Sequence, residues 1–262
     1  MILRKWEDLP PEMQRDEVRP YYDILRKKRM TLIIKRLFDI IVSALMLVVL
    51  SPLFLILALA IKLDSKGPVF FRQVRVTRYG KRFRIFKFRT MVQDAERRET
   101  QVTVQDDARI TRVGRFLRKY RLDEISQLID IFRGTMTFVG TRPEVPKYVA
   151  AYTPEMLATL LLPAGVTSEA SIHYKDEDKL LKGTEDVDGA YIEEVLPAKM
   201  KWNLDSIRNF KVVSELKTMV RTVLAVFWKN TRPISSDNQR ECVGLSPARG
   251  KRHGKSKEGT WE

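Results

Sequence analysis

Twenty-two consecutive positions without a charge, Ile40 to Ile61, dominate the hydrophobic profile of the chain. As one helix rising about 1.5 Å per residue they would run roughly 33 Å, close to the thickness of a bilayer's hydrocarbon core. Both flanks are basic: Arg26, Lys27, Lys28, Arg29, Lys35 and Arg36 precede the run, and Lys62, Lys66, Arg72, Arg75 and Arg78 follow it. Because short cytoplasmic segments carry the excess of Lys and Arg, this pattern places both ends on the same side. A chain that returns to its side of entry needs a break, and Ser51-Pro52 sits near the centre of the run. Pro52 has no N–H and its ring crowds the carbonyl of Val48, while Ser51 can bond a freed backbone group. The expectation is a re-entrant helix-break-helix over 35–63. Two alternatives stand beside it: a Pro-kinked spanning helix, and a secretory signal ending at Ala58-Leu59-Ala60. The signal fits poorly, since the run begins only after Asp39 and exceeds the ~7 to 15 residues of a signal core.

On the N-terminal side, residues 1–34 mix charge with Pro10, Pro11 and Pro20 and read as a basic arm, helical from Tyr21 onward. From Lys66 to Arg89, apolar and basic residues alternate around Tyr79-Gly80, which predicts a short β-hairpin. Leu122, Ile125, Leu128, Ile129 and Phe132 then recur at helical spacing, with Gly134 placed to end the helix. Val145 to Leu162 reads as mostly helical with a restart at Pro154, and Lys199 to Trp228 as one long amphipathic helix that packs on the core or lies among lipid headgroups. Residues 230–262 are polar and Gly-, Ser- and Lys-rich, the composition of a disordered tail. The implied architecture is α+β and mostly helical, with residues 64–229 as a cytosolic catalytic domain carrying a short hairpin and amphipathic interfacial helices.

Composition narrows the chemistry. A net charge of +15 attracts polyanions, yet aromatic platforms for stacking bases are not evident, so nucleic acid is not expected as a partner. Cys242 is the only cysteine and His173 and His253 the only histidines, which excludes a Cys-rich zinc site and leaves little for imidazole catalysis. His173 reads as a structural histidine. Gly250 to Ser256 approaches a P-loop, but its glycines are one position too close and no strand precedes it. What remains are carboxylates among cations. Nine Lys/Arg without an acid lie between Lys66 and Arg89, and six more between Arg109 and Arg121, immediately before Asp123-Glu124. An isolated acidic dipeptide usually just favours a helix N-terminus. Behind such a basic run, it also supplies what a pyrophosphate site needs: cations for the phosphates, and a carboxylate to attack phosphorus or hold a metal.

The runs KRLFDIIVSALMLVVLSPLFLILALAIKLDSKGPVFFRQVRV, FRIFKFRTM, DDARITRVGRFLRKYRLDEISQLIDIFRGTMTFVGTRPE and AGVTS follow one another in an order and spacing that resembles the bacterial sugar transferases, the monotopic polyprenyl-phosphate phosphoglycosyl transferases. The likeness covers roughly Lys35 to Phe227. It implies a re-entrant membrane helix broken at Ser51-Pro52, held at the cytoplasmic face of the bacterial inner membrane with both chain ends cytoplasmic. It implies that Asp123 attacks the sugar-bearing phosphate of a UDP-sugar and expels UMP, and that polyprenyl (undecaprenyl) phosphate then takes the phosphosugar from the aspartyl enzyme. Asp123 and Glu124 would hold Mg²⁺, and Lys87, Arg89, Arg118 and Arg142 would bind phosphate. Inner-membrane lipids are expected as partners, and a homodimer is left open.

The chain departs from the family pattern in three places. Gly134-Thr-Met-Thr137 stands for Gly-Asp-Met-Ser, Gly140-Thr-Arg-Pro143 for Gly-Pro-Arg-Pro, and Pro163-Ala164-Gly165 for Arg-Pro-Gly. These changes bear on substrate placement and keep a second reading open, a catalytically silent scaffold of a polysaccharide assembly complex. A membrane-tethered polyanion-binding module explains the charge, but not the broken apolar run together with the acid pair. The segment Thr167 to Ile172 is expected near the sugar, whose identity these residues do not disclose.

Overall fold

The computed structural model describes residues 2–92, 109–174 and 186–227. The tail from 230, with Cys242, His253 and the P-loop-like run, lies outside the described residues. Helices predominate: α1 (Arg19–Lys27), α2 (Arg29–Val49), α3 (Ser51–Asp64), α4 (Arg112–Lys119), α5 (Leu128–Arg133), α6 (Pro146–Val149), α7 (Glu169–His173), α8 (Val187–Ala190), α9 (Leu196–Arg208) and α10 (Val212–Phe227). Among the described residues six short strands accompany them: β1 (Phe70–Phe71), β2 (Val74–Val76), β3 (Arg82–Arg84), β4 (Lys87–Phe88), β5 (Met136–Val139) and β6 (Ala164–Thr167).

The apolar run divides as its proline predicts. α2 ends at Val49, Pro52 occupies the first turn of α3, and the two helices are bent by 61°. Ser51 Oγ donates to the carbonyl of Val48 at 2.8 Å, satisfying an acceptor that the proline leaves without an amide. Among the described residues no single helix is long and apolar enough to cross a membrane, but this bent pair passes by length and composition together. One face of each helix is bare, with Leu37, Ile41, Leu45, Val48, Leu55, Ile56 and Leu59 exposed. The other face packs inward. Leu47 and Leu50 meet the cluster of Ile85, Leu128, Ile131 and Met136, and Leu57 and Ile61 meet Phe88 and Leu117. The bent pair thus forms one wall of the region that carries the acid pair.

Charge on this inward face is directed into the protein, and Lys35 and Asp39 are buried. Arg36 donates to the carbonyls of Ile131 and Phe132 at 2.7 and 2.9 Å, closing the C-terminus of α5. Lys35 Nζ donates to the Val139 carbonyl at 3.0 Å and to Glu215 of α10 at 2.6 Å. Asp39 is fully buried and accepts from the Thr137 hydroxyl at 2.7 Å and, more weakly, from the Phe138 amide at 3.4 Å. Lys35 therefore satisfies the Val139 carbonyl by side chain, and Asp39 ties the Thr137 side chain of β5 to α2. Thr137, where the family pattern has Ser, keeps the hydroxyl this contact needs.

β5 and β6 run parallel, with Met136 opposite Ala164 and Val139 opposite Thr167. At their ends Gly140 and Gly165 touch backbone to backbone; a Cβ on Gly165 would lie 2.2 Å from the Gly140 nitrogen. β2 and β3 form the predicted hairpin, turning at Tyr79 and Gly80, both at positive φ. β1 pairs with β4 outside it.

Three expectations change. The segment read as a basic arm is folded onto the protein: Leu9, Met13, Val18, Tyr21, Tyr22 and Leu25 join one core with Val76, Tyr79, Leu161, Leu204, Ile207 and Phe210. Val18, Tyr21, Tyr22 and Leu25 follow an i, i+3, i+4, i+7 pattern that the surrounding charge obscured, and α2 begins earlier than expected, at Arg29. Val145 to Leu162 is only α6 and a 3₁₀ run, Met156–Leu161, because the residue before Pro154 is driven out of helical geometry. The long C-terminal helix is two, α9 and α10, parted where buried Phe210 plugs the first core and its carbonyl accepts from Lys28 Nζ at 2.6 Å.

Candidate functional site

Asp123 and Glu124 open a 3₁₀ run, Leu122–Gln127, that leads into α5. Between α4 and this run the chain reverses at Arg121, a non-glycine residue at φ 56°, ψ 21°. Such a left-handed residue costs of order 1 kcal/mol or more and is retained where the surroundings demand it. It marks the junction between α4 and the acid-bearing run, which packs against both α4 and β4. Asp123 is buried at 3% exposure, whereas an ordinary first-turn acid faces water.

Two cations from distant parts of the chain meet the pair. Lys87 Nζ, from β4, lies 2.9 Å from Asp123 Oδ2 and 3.6 Å from Glu124 Oε1. Arg142 reaches over from its turn and grips Glu124 through both terminal nitrogens, Nη2 to Oε1 at 2.5 Å and Nη1 to Oε2 at 3.5 Å. Burial would raise the Glu124 carboxyl, but Arg142, Lys87 and Arg121 together hold it well below the usual carboxylate range. Glu124 is thus an anion in the folded protein. The arrangement holds a buried carboxylate beside an ammonium, next to a carboxylate clamped by a planar guanidinium; such cations can also receive phosphate oxygens.

The residue after Lys87 in β4, Phe88, points to the strand's other face and packs edge-on against Phe54 of α3 with ring centres 5.3 Å apart. Leu122 and Ile125, on either side of the acid pair, pack against the cluster of Leu57, Ile61 and Phe88, so the pair sits against the bent apolar helices. A sequence model of the bacterial sugar transferase family matches residues 30–229. The chain belongs to that family. Over 99 residues it is 42% identical to the UDP-N-acetylgalactosamine-undecaprenyl-phosphate N-acetylgalactosaminephosphotransferase of Aeromonas hydrophila, covering 38% of this chain and 23% of that protein. It is 36% identical over 169 residues to the UDP-glucose:undecaprenyl-phosphate glucose-1-phosphate transferase of Caulobacter vibrioides, covering 63% and 59%. The protein of the same description from Escherichia coli is 34% identical over 175 residues, covering 65% and 35%. The chain spans less than two thirds of the length of each of these relatives.

In this bacterial sugar transferase the predicted site residues divide. Asp123, Glu124, Lys87 and Arg142 come together. Arg89 does not join them: it is 5% exposed, and its Nη2 donates to the carbonyls of Ser65 and Ile61 and to the Ser65 hydroxyl at 2.7, 3.3 and 2.9 Å, closing the C-terminus of α3. Strand alternation alone would aim Lys87 and Arg89 the same way, so their separation is set by tertiary packing. Arg118 is partly buried on α4 and, among the described residues, takes no part in the acid pair's ion pairs.

Sequence reasoning missed Arg121, whose charge helps to hold the Glu124 carboxyl low and whose residue type gives no sign of a left-handed backbone. It also missed Lys35 and Asp39 as contacts, although charges bordering a membrane-length run are a signal that can be sought. Carboxylate oxygens are donors that suit Mg²⁺. Among the described residues no group of three or more His, Cys, Asp or Glu side chains is placed to hold a metal. Two adjacent carboxylates fit an ion that completes its shell with water and substrate phosphate, the usual habit of Mg²⁺.

Proposed function

We propose that the chain transfers a sugar 1-phosphate from a UDP-sugar to polyprenyl phosphate, the first membrane step in building a glycoconjugate. The observation that carries this reading is the buried Asp123 carboxylate, beside Lys87 and next to the Arg142-clamped Glu124, against the bent apolar helices. The names of the relatives support the donor and acceptor classes.

In this reading an Asp123 oxygen attacks the sugar-bearing phosphorus, the P–O bond to the uridine phosphate breaks, and UMP leaves. An oxygen of the lipid phosphate then attacks the same phosphorus, the acyl phosphate bond to Asp123 breaks, and the product is a lipid diphosphate sugar. Splitting the transfer this way is covalent catalysis by a carboxylate. Lys87 orients Asp123 and Arg142 takes the diphosphate oxygens, with Arg118 and Arg121 adding positive potential. Mg²⁺ held by Asp123 and Glu124 would offset charge building on the departing UMP. α2 and α3 enter and leave the inner membrane on its cytoplasmic side, where the soluble donor is found.

Purified chain in detergent with Mg²⁺, undecaprenyl phosphate and a panel of UDP-sugars is expected to release UMP, and Asp123→Asn is not. Equal release by both removes Asp123 from the nucleophile's role. Cysteines placed at Met30 and Ser65 should label from the same side of the membrane; labelling from opposite sides refutes re-entry.

A further inference from the structure

Directly behind the turn that carries Arg142 lies a group of charges the acid pair does not touch. Glu144 is buried, and its Oε1 accepts from the Tyr191 hydroxyl at 2.7 Å and faces Lys199 Nζ at 3.5 Å. Lys199, also buried, donates to the Tyr191 oxygen at 2.9 Å. The Glu144 carbonyl accepts from the Val76 amide at 3.0 Å. From β2, Arg75 Nη1 donates to the Pro143 carbonyl at 3.1 Å, while Gln73 Oε1 holds its other two nitrogens at 2.6 and 3.1 Å. Residues 143 and 144 are therefore fixed by β2 on one side and by α9 and the π turn Tyr191–Val195 on the other.

Stability alone is a poor reason for this arrangement. A buried Lys–Glu pair can often be replaced by apolar residues of similar volume at no loss, because desolvation cancels the attraction. The placement is what counts. Arg75 and Arg142 are like charges close enough to oppose each other: burial lowers the Arg75 guanidinium, Glu144 works against that, and Arg142 adds to it. Glu144 thus offsets a cation that would otherwise repel Arg142, and its backbone is one residue removed from Pro143.

We propose that Glu144, held by Tyr191 and Lys199 and flanked by Arg75, is a positioning residue that aims Arg142 at Glu124 and at the donor diphosphate. The identity of that anion rests on the function proposed above; the aiming of Arg142 does not.

Two measurements test it. Hydrogen exchange of the amides from 140 to 144 needs no turnover: Glu144→Gln should accelerate exchange there while leaving α5 unchanged, and unaltered exchange at the turn overturns the proposal. The second is a double-mutant cycle on kcat/KM for UMP release, with a radiolabelled donor to reach weak activities. With Arg142 present, Glu144→Gln should lower kcat/KM by ~10- to 100-fold, the usual cost of a misplaced binding group. In an Arg142→Ala background it should lower it no further, since the group it acts through is gone. An equal loss in both backgrounds marks a general structural role and overturns the proposal. Glu144→Gln with Lys199→Met removes both buried charges and guards against simple unfolding: thermal stability should recover while kcat/KM stays low, and full recovery of kcat/KM also overturns it. If the unmodified chain releases no UMP from any UDP-sugar, the proposed function fails, and the exchange measurement still decides the positioning claim.

Discussion

Thr137→Val probes how helix α2 holds β5. The change keeps volume and removes one hydroxyl, whose 2.7 Å bond to Asp39 joins two fully buried side chains. A hydrogen bond to a charged group contributes about 1.5–3 kcal/mol, and the Phe138 amide at 3.4 Å leaves the carboxylate poorly compensated. At about 2–4 °C per kcal/mol for a domain of this size, the thermal midpoint should fall by roughly 3–12 °C. Thr137→Ser keeps the hydroxyl and loses one methyl, up to about 1 kcal/mol, so its midpoint should fall by no more than about 4 °C. Asp39→Asn in the Thr137→Val background should recover part of the loss, since an underpaired amide costs less to bury than a carboxylate. The assay is intrinsic-fluorescence melting of all variants in one detergent. Equal losses for the valine and serine substitutions, or a larger loss for serine, refute the reasoning that the Asp39 contact holds β5.

Gly165→Ala should lower both the melting midpoint and UMP release, because the new Cβ meets Gly140 backbone atoms at 2.2 and 2.3 Å that no side chain can vacate; packing strain of about 1–3 kcal/mol is expected. Arg89→Met removes bonds at the end of α3 together with two buried nitrogens, Nε and Nη1, that have no hydrogen-bond partner among the described residues. Its stability should change by less than about 2 kcal/mol with donor KM unaltered, and a raised KM would return Arg89 to the phosphates. The Glu124 carboxyl is depressed in the folded chain, so its stabilising contribution is fully present above the unfolded value of 4.5 and is lost as pH falls toward the folded value. Arg142→Ala removes its foremost opposing charge, so the midpoint gap between unmodified and variant protein should be widest at neutral pH and shrink below about pH 5; a gap independent of pH refutes the coupling.

Local chemistry accounts for what could be read without coordinates. A proline in the middle of an uncharged run bends a helix wherever it is placed, so the Ser51-Pro52 break was legible; so was the hairpin turn at Tyr79-Gly80, and so was Gly134 as a helix end, found at φ 85°. The acid pair, Lys87 and Arg142 were legible because their residue types, spacing and family resemblance agreed. Distance and direction were not. Which cation meets which carboxylate depends on how β4 and the Gly140–Pro143 turn fold over Leu122–Gln127, and no local rule sends Lys87 to Asp123 and Arg89 to the end of α3. The N-terminal segment was misread because its net charge is a property of composition, whereas its burial depends on one apolar stripe finding α9 and the hairpin tip. Residue type and spacing determined which chemistry was available; packing decided which groups meet, because buried charges take their partners from whatever the fold brings within about 3 Å of them.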